Sequence, residues 1–464
     1  MKNLAQLMIL AVLLVPFGAG AGGFLIYEHG ASATGMADAR TAMTGDVNAL
    51  YFNPAAITEL EGLQLQVGTT GILPYVHYEA AGNPVPPRTY TRYTGEVVDV
   101  NDGLNDADAK IKFWTPIHLY VAYKIPKTGI SVGYGLNNPF GLGTHWPGDW
   151  DGRFITTASE MTTFFNQPVV AVDVAELAGF KDRLKLSVAA GYNFVYATAL
   201  LEQHVDLRVA ERLSSDPAVL GAEGQMSMTG DAMGHGWNLA LYAELPGLLA
   251  LGASLRSGVS LPISGTAKFS FNPAGRRALE VLSTVIPAET GGSVTIDLPI
   301  NMNFGLAFLG VERLRVALDF YVTLFSSYDE LDVKFDCVEA EACDLKLDPI
   351  EADWGTSWQV SLGAEYLLTD AVVLRAGYAS SFSPVPARTL EPSLPDGRQD
   401  QFCAGVGYHG GFWKVDVGYM LAFWGVEKDN DVGREDPTGN PLGKANGHYS
   451  TVSHLLALSF SFSL

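Results

Sequence analysis

From about residue 63 to the C-terminus, apolar and polar positions alternate along the chain. In the last segment Val452, Leu456, Leu458, Phe460, Phe462 and Leu464 share one face, with His454 the polar exception. Ser453, Ala457, Ser459, Ser461 and Ser463 share the other. A period of two is the signature of a strand with one greasy and one polar or small face. The same alternation runs through Leu186, Val188, Tyr192 and Phe194, through Leu314, Val316, Leu318 and Phe320, and through Val415, Val417 and Tyr419. Fourteen such segments can be counted, among them 154–178, 184–205, 235–245, 248–271 and 312–335. Tight turns such as Pro246-Gly247 and Gly410-Gly411 alternate with long connections. An even strand number with short turns on one side and long loops on the other predicts an all-β, 14-stranded antiparallel transmembrane β-barrel. A soluble β-sandwich predicts neither that alternation nor polar faces carrying Lys185, Arg256, Arg315 and Arg375 opposite faces this apolar.

The first 62 residues do not follow the pattern. Lys2, the apolar run Leu7–Val15, and Ala19-Gly20-Ala21 have the form of a secretory signal peptide over 1–21, removed after Ala21. Nine apolar residues are too few to span about 30 Å of hydrocarbon. Residues 22–62 lack period two and contain Asn53-Pro54-Ala55. A fourteen-strand barrel leaves a lumen wide enough to need filling, so 22–62 is expected to be a plug and 63–464 the barrel. A flexible extension is the plainer alternative for the same segment.

Composition narrows the function classes. Charged residues make up only 17%, and the formal charge is −21. Phosphate recognition needs Lys and Arg, so nucleic acid is not an expected partner. Gly129-Ile130-Ser131-Val132-Gly133 fits a nucleophile elbow, but that motif needs a strand-to-helix turn, and here it runs along a strand. Gly405 to Gly410 fits G-x-G-x-x-G without a following helix, and the 9 His are scattered. No enzyme, cofactor or metal is expected. Of the 3 cysteines, Cys337 and Cys343 lie six apart in one loop. Export makes a bridge between them reasonable, and two free thiols remain the alternative.

Several motifs, in order along the mature chain, carry a resemblance. Ala31 to Ala37 with Asn53-Pro54-Ala55, Asn138-Pro139-Phe140-Gly141-Leu142, Trp150 to Phe154, Leu255-Arg256-Ser257, Leu374 to Tyr378 and Leu394-Pro395-Asp396 together resemble the FadL/TodX family of outer-membrane transporters for long-chain fatty acids and aromatic hydrocarbons. The resemblance implies a fourteen-strand barrel with an N-terminal hatch. It implies a hydrophobic small-molecule substrate, outer-membrane lipid and lipopolysaccharide as surroundings, the barrel-assembly machinery as a partner in biogenesis, and a monomer. Two departures stand out. The chain ends in Leu464 where the family commonly ends in Phe. Glu202 is followed by Gln203, where fatty-acid carriers can place an Arg for the acid carboxylate.

Candidate sites follow. The loops after the fifth and seventh strands offer Leu213 and Leu220, and Leu279, Leu282, Val285 and Ile286 on a helix expected over Gly275–Ile286, for capture. Arg256 and Arg375 face the lumen by parity and are candidates for a ligand head group, and the resemblance adds Gln203 near the top of the fifth strand. Pro cannot donate to a ladder, and Gly marks bulges; with the family resemblance this makes Gly133, Gly135, Asn138, Pro139 and Phe140 the candidate lateral exit, the plainer alternative being that Pro139 only starts the long loop and the glycines make room for the hatch. A general aqueous porin or an adhesin is the rival reading.

Overall fold

The computed structural model describes residues 22–80, 88–100, 105–345, 349–426, 433–435 and 441–464. The expected signal peptide therefore lies outside the described residues.

Fourteen antiparallel strands form the wall: β1 Leu63–Ala80, β2 Ile117–Ile125, β3 Ile130–Asn137 continued by Gly141–His145, β4 Ala158–Asp173, β5 Lys185–Asp206, β6 Glu223–Leu245, β7 Leu249–Arg256 continued by Val259–Phe271, β8 Glu289–Leu298 continued by Ile300–Val311, β9 Leu314–Leu324, β10 Thr356–Leu367, β11 Val372–Phe382, β12 Gln399–His409, β13 Trp413–Val426 and β14 Gly447–Ser463. Each pairs with its neighbours in sequence. The ring closes through β1 and β14, in register from Gln64↔Ser463 to Ala80↔Gly447. The alternation has the expected physical meaning. On β14, Leu456 and Phe460 are about half exposed toward the bilayer, while Ala457 and Ser459 are fully buried on the inner face.

The structure corrects several boundaries. β4 covers Ala158–Asp173, not 154–178; Asp151–Phe154 is a 3-10 turn and Val174–Ala178 a short helix capped by the Asp173 carboxylate. β6 begins at Glu223, twelve residues before 235. Met226 and Met228 therefore belong to the wall rather than to the preceding loop, and they pack inward with Phe269. Small and polar residues, Gly224, Ser227, Gly230 and Asp231, hide the period there. β9 stops at Leu324, followed by a 3-10 turn at Phe325–Ser327. The loop helix is Pro273–Leu282, capped by Asn272 and ended by Ser283 at φ 51°, so Val285 and Ile286 lie beyond it.

Residues 24–60 form short turns at Ala31–Thr34, Ala49–Phe52 and Pro54–Glu59 and are largely buried against wall residues. Backbone meets backbone at glycines on the inner wall. A Cβ on Gly252 of β7 would sit 1.9 Å from the Thr41 carbonyl oxygen, and one on Gly418 of β13 would sit 2.4 Å from that of Ala31. The segment thus touches opposite parts of the wall.

Candidate functional site: an apolar route interrupted by the N-terminus

The wall is broken at β3. Its ladder with β2 ends at His118↔Asn137. Its ladder with β4 runs to Asn137↔Phe165 and resumes at Gly141↔Thr162, four steps on one strand against three on the other. That is a bulge of one residue, and Pro139, without an N–H, sits in it. The side chain of Asn138 stands in for the missing ladder: its Oδ1 accepts from the Ile117 N–H at 2.8 Å, and its Nδ2 donates to the Thr163 carbonyl at 2.6 Å. Beyond the break the free edge of β3 pairs with the N-terminal segment instead of β2. The Ile26 N–H donates to the Pro139 carbonyl at 2.8 Å, the Gly141 N–H to the Phe24 carbonyl at 3.0 Å, and Leu25 forms an isolated bridge with Phe140.

Two cavities flank this junction. A wall cavity of about 520 Å³ is lined by Leu25, Glu28, Asn138 and Phe140. Lumen-facing Gln401 and Ser453 and bilayer-facing Thr162 and Phe164 line it too. A loop-side cavity of about 130 Å³ is lined mainly by apolar residues, among them Ile155, Leu201, Ile263, Val333 and Trp354. Both are bordered by Leu142, Met161 and Leu394. Phe24 lines the loop-side cavity while Gly23 and Leu25 line the wall cavity, so the N-terminus runs between the two. Phe24 is held edge-on against Phe325 at 5.2 Å and Tyr328 at 5.6 Å, and beside Trp354 at 5.5 Å. The Gly23 N–H donates to Asp396 at 3.0 Å.

The chain is matched over residues 12–464 by the family model for the outer membrane protein transport protein (OMPP1/FadL/TodX). The chain belongs to the OMPP1/FadL/TodX family. It is 24% identical over 436 residues to the long-chain fatty acid transport protein of Escherichia coli K12, covering 89% of this chain and 90% of that one. The structure of a Pseudomonas aeruginosa FadL homologue superposes with a TM-score of 0.79 at 18% identity, covering 95% of this chain and 100% of that one. The Ralstonia pickettii toluene transporter TbuX gives 0.62 at 14% identity, with 94% and 98% covered. The protein is a multi-strand barrel of the Gram-negative outer membrane.

Within this OMPP1/FadL/TodX barrel, the Asn53-Pro54-Ala55 motif has a local explanation. The Asn53 carboxamide accepts from the Ala55 N–H at 3.1 Å, capping the turn that Pro54 opens. Its Nδ2 donates to the Thr41 and Leu241 carbonyls at 2.8 and 2.9 Å, tying the segment to itself and to β6. Charges anchor the same segment. Arg40 lies 3.8 Å from Glu365 and 3.9 Å from Asp46. Burial works against the Asp46 carboxylate, yet Arg40 and Lys414 hold it at about 2. Burial pushes the Glu28 carboxyl up to about 7.

Two of the head-group candidates, Arg375 and Arg256, sit in this anchoring layer. Arg375 pairs with Glu365 at 2.9 Å and Asp416 at 2.6 Å. Arg256 donates to the Tyr51 carbonyl at 3.3 Å and stacks over the Tyr51 ring at 4.7 Å. Gln203 is buried on the inner face of β5. None of the three lines either cavity. The loop candidates do not line them either, and they do not converge. Leu279 and Leu282 pack against Leu207 and Val219 of the neighbouring loop; Ile286 packs near Phe335 and Cys337; Leu213, Leu220 and Val285 are exposed. Cys337 and Cys343 are bonded, with Cα atoms 5.4 Å apart.

Of the exit candidates, Asn138, Pro139 and Phe140 form the break, while Gly133 and Gly135 do not. Both glycines lie in continuous pairing with β2 and β4. A Cβ on Gly133 would meet Leu50 at 2.5 Å, so this glycine makes room for the N-terminal segment. Sequence reasoning passed over Phe24, which stands between the cavities. Its only signal was an aromatic residue following Gly20-Ala21-Gly22-Gly23.

Proposed function

We propose that the protein takes up a hydrophobic compound passively across the outer membrane, using residues 22–62 as a movable hatch and the gap in β3 as a lateral exit. The exposed Leu213, Leu220 and Val285 offer a first apolar contact. The molecule then enters the loop-side cavity, displaces Phe24 and reaches the wall cavity. From there it leaves through the gap into lipid, which keeps its apolar surface out of periplasmic water at roughly 25 cal/mol per Å². The observation that carries this reading is the lining of the wall cavity, in which lumen-facing Gln401 and bilayer-facing Phe164 border one space beside the bulge. The names of the fatty acid and toluene transporters similar to this chain agree with an apolar cargo.

The test exploits the Leu25↔Phe140 bridge, whose antiparallel partners lie close enough to cross-link. In the L25C/F140C double variant, oxidation should stop uptake of a labelled hydrophobe into outer-membrane vesicles, and reduction should restore it. Equal uptake in both states would mean that the N-terminus need not leave β3.

A further inference from the structure

We propose that the compound carried is uncharged, an apolar molecule without a carboxylate, and that the cavity lining turns fatty-acid anions away. This deepens the transport reading and rests on it. Among the described residues lining the two cavities there is no Lys, Arg or His. The ionisable groups that do line them include five carboxylic acids: Glu160, Glu351 and Glu391 on the loop side, Glu28 and Asp396 at the wall.

A carboxylate moved out of water needs a cation or several donors to offset its lost hydration. This path supplies more negative charge instead. Two of the lining acids, Glu160 and Glu351, already hold cations. Lys112 pairs with Glu160, which also meets His145 at 2.6 Å. Arg388 pairs with Glu351 at 2.6 Å. The two lumen arginines are engaged elsewhere, Arg375 by Glu365 and Asp416 and Arg256 by Tyr51. Leader removal after Ala21 would add an α-ammonium at Gly22 in the wall-cavity lining, one residue from the Gly23 N–H that donates to the Asp396 carboxylate. A cationic amphiphile is a weaker fit, because Glu160, Glu351 and Asp396 already have their partners. What remains along the route is apolar contact with a few hydroxyls and amides, which suits an uncharged molecule.

The experiment compares 1-dodecanol with dodecanoate, which share a chain and differ at one end. Equilibrium binding of each radiolabelled compound to the full chain in detergent is measured against empty micelles. At pH 8 the alcohol should bind more tightly by about tenfold or more, because the anion must be desolvated without a partner. At pH 4 the acid is largely neutral and the gap should close. Leu201→Arg places a cation in the loop-side lining. With assembly checked by heat-modifiable gel mobility, it should raise dodecanoate binding at pH 8 and lower that of the alcohol. Equal or tighter binding of dodecanoate by the unmodified protein at pH 8 would overturn the inference while leaving the transport reading intact. So would an assembled Leu201→Arg protein that gains no dodecanoate binding. Binding of neither compound would overturn the transport reading itself, and the inference with it.

Discussion

One side chain holds the edges of the gap at the residue scale. Asn138 accepts from β2 and donates to β4, so it replaces two ladder bonds with side-chain bonds of 2.8 and 2.6 Å. Asn138→Ala would leave the Ile117 N–H and the Thr163 carbonyl without these partners. Each loss of a buried partner costs about 1–3 kcal/mol, and the expected outcome is a lower urea midpoint with assembly retained. An unchanged midpoint would show that lipid or water satisfies those groups equally well. Asn138 was legible in the sequence because it precedes a proline at a strand end. The two-sided bond was not, since nothing in a linear pattern says which carbonyl lies across a missing ladder. Gly133 shows the converse. Its glycine signal fitted either a bend or room for the N-terminal segment, and Leu50, 83 positions away in the chain, favours the second.

Strands and loops differ in how much the sequence discloses. Strands that bury one face write their period into the chain, and β14 could be read residue by residue. β6 could not be read in its outer half, because inward glycines and outward Ser227 and Asp231 remove the contrast. The loops divide in the same way. The helix Pro273–Leu282 is legible as an amphipathic run, but its partner, the loop cluster around Leu207 and Val219, is a tertiary fact. The bonded Cys337 and Cys343 brace the loop between β9 and β10 where it docks on β8: the Cys337 N–H donates to the Thr290 hydroxyl at 3.2 Å, the Asp344 N–H donates to the Val285 carbonyl, and the Val285 N–H donates to the Asp344 carboxylate. A Cys337→Ser/Cys343→Ser variant should assemble with normal heat-modifiable mobility, because no wall strand contains either residue. Its loop should be cut faster by protease, since the unbridged segment opens locally at lower cost. Identical cleavage rates would assign the bracing to the Asp344–Val285 contacts alone.

The whole molecule combines a legible wall with a concealed route. Strand number, closure and membrane setting follow from period two and from the alternation of short and long connections. The proposed route depends on where residues 22–28 come to rest, and seven residues without a period carry no such information. Phe24 reaches Phe325 and Trp354 across some 300 positions of chain, a contact that only the closed ring brings about. On the proposed route, hydrophobic molecules leave through the wall at β3. The most direct measurement removes the bulge: deleting Pro139 reduces four steps to three, so that β3 can pair continuously with β4. Uptake of labelled 1-dodecanol into outer-membrane vesicles is then compared with its equilibrium binding in detergent. The account predicts that binding persists while uptake falls to the level of vesicles lacking the protein. Undiminished uptake by an assembled Pro139-deleted barrel would contradict it.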